Sequence, residues 1–374
     1  ATHTVRIPVA GASMARALQT GYIAEVIEPM TSNQTALYLK LNGSPDFVND
    51  VCGIGNALVD VLSQESDEFV ESTGVPKGSM TLIDEERATS LYAQMGAGIE
   101  ISGGSAANTI VGVAALGATA QYIGKVRNDQ LGAVFAHDIR ATGVTYQIDS
   151  AATGPSTGCC LILITPDAQR TMNTFLGASV YLSPEDIDLV AIAASKILYL
   201  EGYLFDPPEA QEAFRAAAAC AHDAGRLVAV TLSDSFCVER HREAFVDLLQ
   251  NHSDLVFANE AEICSLFQTD SFDEALAQVK LLNVTAAVTR SEKGSVVVHQ
   301  DHVLEVAAAP VDDLVDTTGA GDLYAAGFLY GVSQGLDLAT CGALGSVAAA
   351  EVISHLGARP VANLSELAKT VLAL

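Results

Sequence analysis

The second half of the chain alternates between strand-length and helix-length segments, and this alternation constrains the fold more than any other feature. Short apolar runs fall near residues 196–200, 227–232, 254–258 and 285–289, and longer segments fall near 183–194, 207–224, 240–251, 259–268 and 273–282. Because successive parallel strands need a long crossover, usually a helix, this order predicts an α/β fold with a doubly wound parallel sheet. Such sheets bind ligands beyond the carboxyl ends of their strands, so polar residues at those ends are candidate site residues.

A second, smaller sheet is predicted in the first half of the chain. Three short strands near 145–148, 157–165 and 171–175 follow one another without a helix between them. With a strand inside 74–83 they predict a small sheet apart from the main one. Residues 159–164 are too apolar for a sheet exposed on both faces, so we expect substrate and the main domain, or a second subunit, to cover it.

Length and composition bound the domain organisation. The 374 residues allow one large domain or two, and 49% hydrophobic residues indicate a well-filled core. We expect a domain over 49–374, because residues 1–48 mix Ser, Thr, Ala and scattered charges without the start of a domain. Those first residues are an extension of unknown role. A remnant of an organelle-targeting segment and sequence added for expression are both open interpretations.

Charge and cysteine usage narrow the partners and the compartment. A formal net charge of −26 argues against nucleic acid or an anionic membrane as a partner. The seven cysteines show no Cys-x-x-Cys spacing and no metal-binding pattern, which indicates reduced thiols in a cytoplasmic protein. A polyanionic ligand in so acidic a protein needs amide dipoles, a metal ion and a few basic side chains around it.

A polar turn at residues 316–322, with the sequence Asp-Thr-Thr-Gly-Ala-Gly-Asp, precedes a run of small and apolar residues that predicts a buried helix. The N–H groups of Gly319, Ala320 and Gly321 have no intrahelical acceptor at such a helix start, so they form a candidate anion hole. Asp322 adds a carboxylate, which is a poor anion ligand but a suitable general base. The pairing indicates phosphoryl transfer to an alcohol; an Asp that simply caps the helix is the alternative.

Candidate acceptor-binding residues lie upstream. Gly103 and Gly104 precede a predicted helix that reaches about residue 116, and they let a ligand approach the backbone. Asn108, in the first turn of that helix, can both donate to and accept from a hydroxyl. Asp60 follows a short apolar strand and a Gly-Asn turn, where its carboxylate can bind a pair of sugar hydroxyls. A turn Asp and a glycine turn without ligands are the alternatives for these two segments.

Four short motifs in this order resemble the PfkB/ribokinase family of carbohydrate and nucleoside kinases. They are Gly-Asn-x-x-x-Asp at 55–60, Gly-Gly-x-x-x-Asn at 103–108, Asn-x-x-Glu at 259–262 and Gly-Ala-Gly-Asp at 319–322. The resemblance covers about residues 51–360 and is strongest to adenosine kinase-like members. It implies a ribokinase-like kinase domain over 49–374, with lid strands from about 74–83 and 145–175. It also implies that Asp322 is the base, that the amides of 319–321 form the anion hole and that Asp60 holds a ribose.

Further roles follow from the resemblance. Glu201, after the strand near 196–200, is similar to a ribokinase Glu that lies near the substrate. Glu262 matches a position tied to Mg²⁺, directly or through water. Asp316 and Thr318 match positions around a K⁺ site in ribokinases.

The resemblance implies a nucleotide-binding set as well. Asn259 and the turn from Thr289 to Gly294 match its nucleotide motifs, and Arg170 matches a lid arginine that reaches phosphate. A capping pair of Asn259 with Glu262, and a solvated surface position for Arg170, remain the alternatives.

The implied activity is ATP-dependent phosphoryl transfer, assisted by Mg²⁺, to a primary hydroxyl of a nucleoside or sugar. The motif spacing at Asp60 and Asn108 favours adenosine, with AMP as the product. A ribose- or fructose-type sugar kinase and a non-catalytic structural subunit with a kinase fold are the alternatives. The expected partners are therefore ATP and a small acceptor, in a monomer or in a homodimer formed through the lid.

Overall fold

The structure is a computed structural model that describes residues 47–167, 169–282 and 284–373. Its strands are β1 (Asn49–Ile54), β2 (Leu58–Gln64), β3 (Met80–Leu82), β4 (Gly98–Gly103), β5 (Ala120–Ile123), β6 (Thr157–Ile164), β7 (Arg170–Gly177), β8 (Ser195–Glu201), β9 (Leu227–Thr231), β10 (Leu255–Asn259), β11 (Thr285–Thr289), β12 (Ser295–His299) and β13 (His302–Val306). Its α-helices are α1 (Asp67–Ser72), α2 (Glu85–Tyr92), α3 (Ser105–Ala115), α4 (Gln130–Ala141), α5 (Leu189–Ala193), α6 (Pro208–Asp223), α7 (Ser235–Asn251), α8 (Glu260–Phe267), α9 (Phe272–Val279), α10 (Ala320–Ser333), α11 (Leu338–Val352) and α12 (Leu364–Leu372). The expected extension at the start of the chain lies, except for its last two residues, outside the described residues.

The main sheet has eight strands in the order β13-β12-β11-β10-β9-β8-β1-β5. Strands β5, β1 and β8 to β11 are parallel, and β12 and β13 add an antiparallel hairpin at one edge. Helices α3, α10 and α11 pack on one face and α6 to α9 on the other, in two separate apolar cores. This arrangement confirms the predicted doubly wound sheet, and buried strands between two helical layers explain the nearly continuous apolar runs in the sequence.

A second sheet of five strands, in the order β3-β7-β6-β2-β4, forms the lid sheet. It confirms the predicted small separate sheet but corrects its membership. Strands β2 and β4 belong to it and were missed, whereas the predicted strand near 145–148 does not. There, only Thr145 forms a single bridge, to Gln121 of β5 in the main sheet. The predicted helix near 183–194 is also shorter, since only α5 is α-helical within it.

Local sequence explains where several of these helices begin. Asp234, Asn259 and Asp337 precede α7, α8 and α11, and each side-chain oxygen accepts a hydrogen bond from a backbone N–H in the first turn. Such caps satisfy donors that would otherwise lack acceptors and contribute about 1 kcal/mol each. No helix in the described part of the chain has both the length and the apolar character needed to cross a membrane.

Candidate active site

The turn at residues 316–322 leads into α10 and leaves backbone donors at its N-terminus. Gly319 has a φ of 81°, and a Cβ there would press against Ala358, so this position requires glycine. The N–H of Ala320 donates to a carbonyl within the turn at 3.2 Å. Among the described residues, the N–H groups of Gly319 and Gly321 have no acceptor, and no atom occupies the space beside Gly321. Two of the three predicted amides are therefore available to an anion.

Asp322 lies in the first turn of α10 and is held by two side chains of α3. The Ser105 hydroxyl donates to its Oδ1 at 2.6 Å, and Nδ2 of Asn108 donates to its Oδ2 at 3.0 Å. Burial raises the pKa of Asp322, although both hydrogen bonds oppose that shift. The buried Oδ1 of Asn108 has no partner among the described residues, so it remains available to a ligand donor.

Asp60 lies inside strand β2 of the lid sheet, which corrects its predicted position beyond a strand end. A Cβ at Gly103 would come within 2.5 Å of the Asp60 carboxylate, so glycine is needed at that contact. The carboxylate makes no hydrogen bond to any described residue. Burial raises the pKa of Asp60 to about 6, while the charges of Arg359 and Arg170 lower it and that of Asp322 raises it.

Glu201 is the last residue of β8, at the predicted strand end, and is 1% exposed. Its two oxygens accept hydrogen bonds from Nδ2 of Asn56 and from the N–H of Ala106, both at 2.8 Å. Burial raises the pKa of Glu201 to about 7, against the effect of these bonds. Glu201 thus joins the β1–β2 connection to the start of α3. Gly104, with a φ of 104°, packs on the carbonyl of Asn56 and leaves no room for a Cβ.

Arg170 is the first residue of β7, and it forms an ion pair with Asp316 in place of the solvated surface position that was its alternative. Its Nη1 lies 2.6 Å from Oδ2 of Asp316, and both side chains are 8% exposed. Asp316 also accepts from the N–H and hydroxyl of Thr318 at 3.0 and 2.7 Å and from the N–H of Gly357 at 3.0 Å. Burial raises the pKa of Asp316, but these hydrogen bonds and the charge of Arg170 outweigh burial, so the pKa of Asp316 lies below its usual range. The buried Nε and Nη2 of Arg170 have no partner in the described regions.

The other predicted nucleotide-binding residues lie at or just beyond the carboxyl ends of β10 and β11. Asn259 and Glu262 form a capping box, in which Glu262 accepts from the Asn259 N–H at 3.0 Å and from its Nδ2 at 2.6 Å. Burial raises the pKa of Glu262 to about 7. Thr289 ends β11, and Gly294 has a φ of 83° in the turn before β12. An open cavity of about 900 Å³ adjoins Asn259 and Thr289, and Asp322 is not part of its lining.

The predicted site residues therefore fall into separate groups. Gly103, Asn108, Asp60 and Asp322 meet where the lid sheet contacts α3 and α10. The nucleotide candidates lie along the neighbouring strand ends. Arg170 and Asp316 connect the lid to the turn before α10.

Three residues of this site were missed by sequence reasoning. Ser105 could have been found, because it lies inside the recognised Gly-Gly-x-x-x-Asn motif. Asn56 lies in the Gly-Asn motif, but its contact with Glu201 joins residues 145 positions apart. Arg359 reaches Ser102 from 257 positions away, and no local pattern marks it.

Two solved structures resemble this one over most of the chain. A structure described as a probable sugar kinase from Rhizobium etli is 49% identical, with a TM-score of 0.81, and the match covers 88% of this chain and 100% of that one. The adenosine kinase from Sinorhizobium meliloti is also 49% identical, with a TM-score of 0.80, covering 86% of this chain and 99% of that one.

Sequence comparison agrees with the structural comparison. The adenosine kinase of Saccharomyces cerevisiae is 28% identical over 328 residues, which cover 81% of this chain and 94% of the yeast protein. A family description, pfkB family carbohydrate kinase, matches residues 82–364, more than half of the chain. The turn before α10, the two-sheet fold and these matches together identify the chain as a phosphotransferase that belongs to the pfkB family of carbohydrate kinases.

Proposed function

We propose that this PfkB-family kinase transfers the γ-phosphoryl group of ATP to the primary hydroxyl of adenosine and forms AMP. The observation that carries the proposal is the position of Asp322, which Ser105 and Asn108 hold beside the open N–H groups of Gly319 and Gly321. A base and an anion hole in one turn are the two elements that transfer to an alcohol requires.

In this mechanism Asp322 takes the proton of the acceptor hydroxyl. Its raised pKa makes the carboxylate a stronger base than an exposed Asp, and its two hydrogen bonds fix the direction of its oxygens. The charge on the transferred group is stabilised by the N–H groups of Gly319 and Gly321 and by the dipole of α10. These donors are fixed before the reaction, so they need not reorganise during it.

The lid sheet supports a nucleoside as the acceptor rather than a free sugar. In the β2–β6 register Asp60 lies beside Cys160 and Leu62 beside Ile162, and Ile162 pairs with Met172 of β7. An apolar surface therefore continues from the carboxylate that would hold ring hydroxyls: Leu62 and Met172 are partly exposed there, over the buried Cys160, Ile162 and Ile164. A nucleobase can cover such a surface, whereas a free ribose or fructose is polar all round. The adenosine kinases among the relatives support the same choice.

Mg²⁺ is proposed as the metal, bound with ATP. Among the described residues no three His, Cys, Asp or Glu side chains form a group able to hold a metal ion. The buried Glu262, whose pKa is raised further by the charges of Asp234 and Asp322, fits a hydrated Mg²⁺ through water. The ion would supply charge neutralisation on the phosphates.

A monovalent cation at the turn before α10 is a separate proposal. The Asp316 carboxylate and the Thr318 hydroxyl are bound within the protein, so K⁺ would depend on backbone carbonyls of this turn. Equal rates in K⁺ and in a bulky organic cation, at matched ionic strength, would count against this site.

A panel assay tests the proposed function. Purified protein is incubated with ATP and Mg²⁺ and with adenosine, ribose or fructose, and the phosphorylated product and ADP are both quantified. We expect adenosine to exceed the sugars in kcat/KM by about a hundredfold or more, because a free sugar has no nucleobase to pack against the apolar surface beside Asp60. A preference for ribose or fructose would support the sugar-kinase alternative. No transfer to any acceptor would support a non-catalytic role.

A further inference from the structure

Arg359 lies in the segment between α11 and α12 and binds both sides of the Gly103–Gly104 turn. Its Nε donates to the carbonyl of Ser102 at 3.2 Å, and its Nη2 donates to the same carbonyl and, at 3.1 Å, to the Ser102 hydroxyl. Its Nη1 donates to the carbonyl of Ala107 at 3.0 Å. One planar side chain thus fixes the end of β4 and the first turn of α3 relative to each other.

The same turn is held from the opposite side. Asp138 of α4 accepts from the N–H of Ser102 at 2.8 Å and from its hydroxyl at 2.6 Å. Ser102 therefore lies between a carboxylate and a guanidinium. A lysine at position 359 could not reproduce this set of contacts, because an ammonium group lacks the planar fork of arginine.

Arg359 also provides positive charge to a cluster of acidic groups. Its charge lowers the pKa of Asp60 and of Asp322, both of which burial raises. Burial lowers the pKa of Arg359 itself, while Asp60, Asp138, Asp322 and Tyr122 oppose that shift.

Other charged and titratable groups act on this cluster from the surrounding elements. Arg170 of β7 adds a second positive charge at Asp60. Cys160 of β6 lies beside the same carboxylate, and Cys159 interacts with it electrostatically from the other face of the strand. Glu201 and Glu262, from β8 and α8, interact with Asp322.

We propose that Arg359 is a positioning residue, which holds the Gly103–Gly104 turn under the acceptor and places its positive charge near the carboxylates of Asp60 and Asp322. The proposal rests on the proposed function, because it assigns the turn and Asp60 to the acceptor and Asp322 to the base. It assigns two separable contributions to one side chain: the fork sets the geometry of the turn, and the charge sets the protonation of the carboxylates.

Two variants separate these contributions. Arg359→Lys retains the charge and loses the fork, and Arg359→Met loses both. We expect the acceptor KM to rise about tenfold in both variants while the KM of ATP stays within about twofold. In Arg359→Met alone, we expect the acidic side of the pH profile of kcat/KM to move to higher pH by about one unit, because the positive charge near the carboxylates is lost.

Arg226 supplies the matched control. It is 6% exposed and donates to the carbonyl of Ala193 at 2.7 Å, and it precedes β9 at the end of the sheet opposite the site. Arg226→Met should lower the unfolding temperature without moving the pH profile or the acceptor KM. An Arg359→Met enzyme with the wild-type pH limb and acceptor KM would show that Arg359 is structural only.

A measurement without catalysis distinguishes failure of this proposal from failure of the proposed function. Thermal unfolding is recorded near pH 5.5 and near pH 8, below and above the pKa of about 6 at Asp60. The buried carboxyls bind protons more tightly in the folded state, so stability falls as pH rises through their folded pKa. Removal of Arg359 raises the pKa of these carboxyls in the folded state, so Arg359→Met should lose more stability near pH 8 than near pH 5.5.

A double variant, Arg359→Met with Asp60→Asn, completes the test. Asp60→Asn should remove part of the extra loss of stability that Arg359→Met shows near pH 8, whereas the stability lost in Arg226→Met should be the same at both pH values. Equal losses at both pH values in Arg359→Met would overturn the charge contribution.

If Arg359→Met does not fold, Arg359→Lys still decides the fork contribution through the acceptor KM, and Arg359→Gln replaces Arg359→Met in the unfolding series. A wild-type enzyme inactive on every acceptor would refute the proposed function and leave the unfolding result decisive for Arg359.

Discussion

Replacement of Asp322 by Asn removes the proposed base with very little change in shape. The Oδ1 of the new amide can accept from Nδ2 of Asn108, and its NH₂ can donate to the Ser105 hydroxyl, so both contacts remain hydrogen-bonded and the one to Ser105 reverses its direction. The folded state also loses a carboxylate whose pKa is raised by burial. We therefore expect Asp322→Asn to unfold at a temperature no lower than that of the parent.

The catalytic loss should be large, because the amide cannot accept the hydroxyl proton. General base catalysis contributes about 10² to 10⁴ in rate, or about 3 to 5 kcal/mol in the activation free energy. We expect kcat to fall by that factor while the Kd values of ATP and of adenosine change little. Product formation by chromatography, single-turnover kinetics and calorimetry for each ligand measure these three quantities separately.

Asp337→Asn is the matched control for this substitution. Asp337 caps α11 and accepts from the N–H of Thr340 at 3.0 Å, a bond that Asn also makes well. It should retain the parental kcat and unfolding temperature. A kcat of Asp322→Asn within tenfold of the parent, with normal folding, would refute the assignment of Asp322 as the base.

Three further predictions concern the acceptor side and the lid. Asp60→Ala should weaken adenosine binding about tenfold or more and leave ATP binding unchanged in calorimetry; equal losses would make Asp60 structural. Gly104→Ala should lower the unfolding free energy by about 1 to 3 kcal/mol in denaturant titrations, because its positive φ and the carbonyl of Asn56 both reject a Cβ; an unchanged midpoint would contradict this. Hydrogen exchange in β6 and β7 should slow when adenosine and a non-hydrolysable ATP analogue bind, with β9 and β10 little changed; the same exchange with and without ligands would mean that the lid does not close.

The parts of this molecule that sequence predicted are those with a local cause. Each strand of the parallel sheet is buried on both faces and therefore reads as an apolar run. The turn before α10 was recognisable because Gly319 needs a left-handed φ and because Asp322 follows within three residues. Asn108 was found for a similar reason, since its motif is contiguous.

What sequence could not predict depends on distant contacts. Strand β4 begins and ends with glycine and carries an acidic residue, so its pattern does not resemble a strand until β2 pairs with it. Asp60 reads as a turn residue, since a carboxylate inside a strand is uncommon. The ion pair of Arg170 with Asp316 and the bonds of Arg359 join segments far apart in the chain, which only the folded structure brings together.

The connections between the two sheets converge on Asn56, and this has a consequence for how the family diversifies. The Asn56 carbonyl accepts from the Tyr122 hydroxyl at 2.9 Å and packs against Gly104. Its side-chain Oδ1 accepts from the hydroxyl of Ser179, two residues after the end of β7, at 2.8 Å. The lid sheet comes from two segments of the chain, residues 58–103 and 157–177, and Asn56 contacts the residues that follow both. Replacement of its strands, in evolution or by grafting, must keep these contacts and also Arg170, whose ion pair with Asp316 ties β7 to the turn before α10. The strands that would contact the acceptor and the turn that would carry out phosphoryl transfer are therefore constrained to change together.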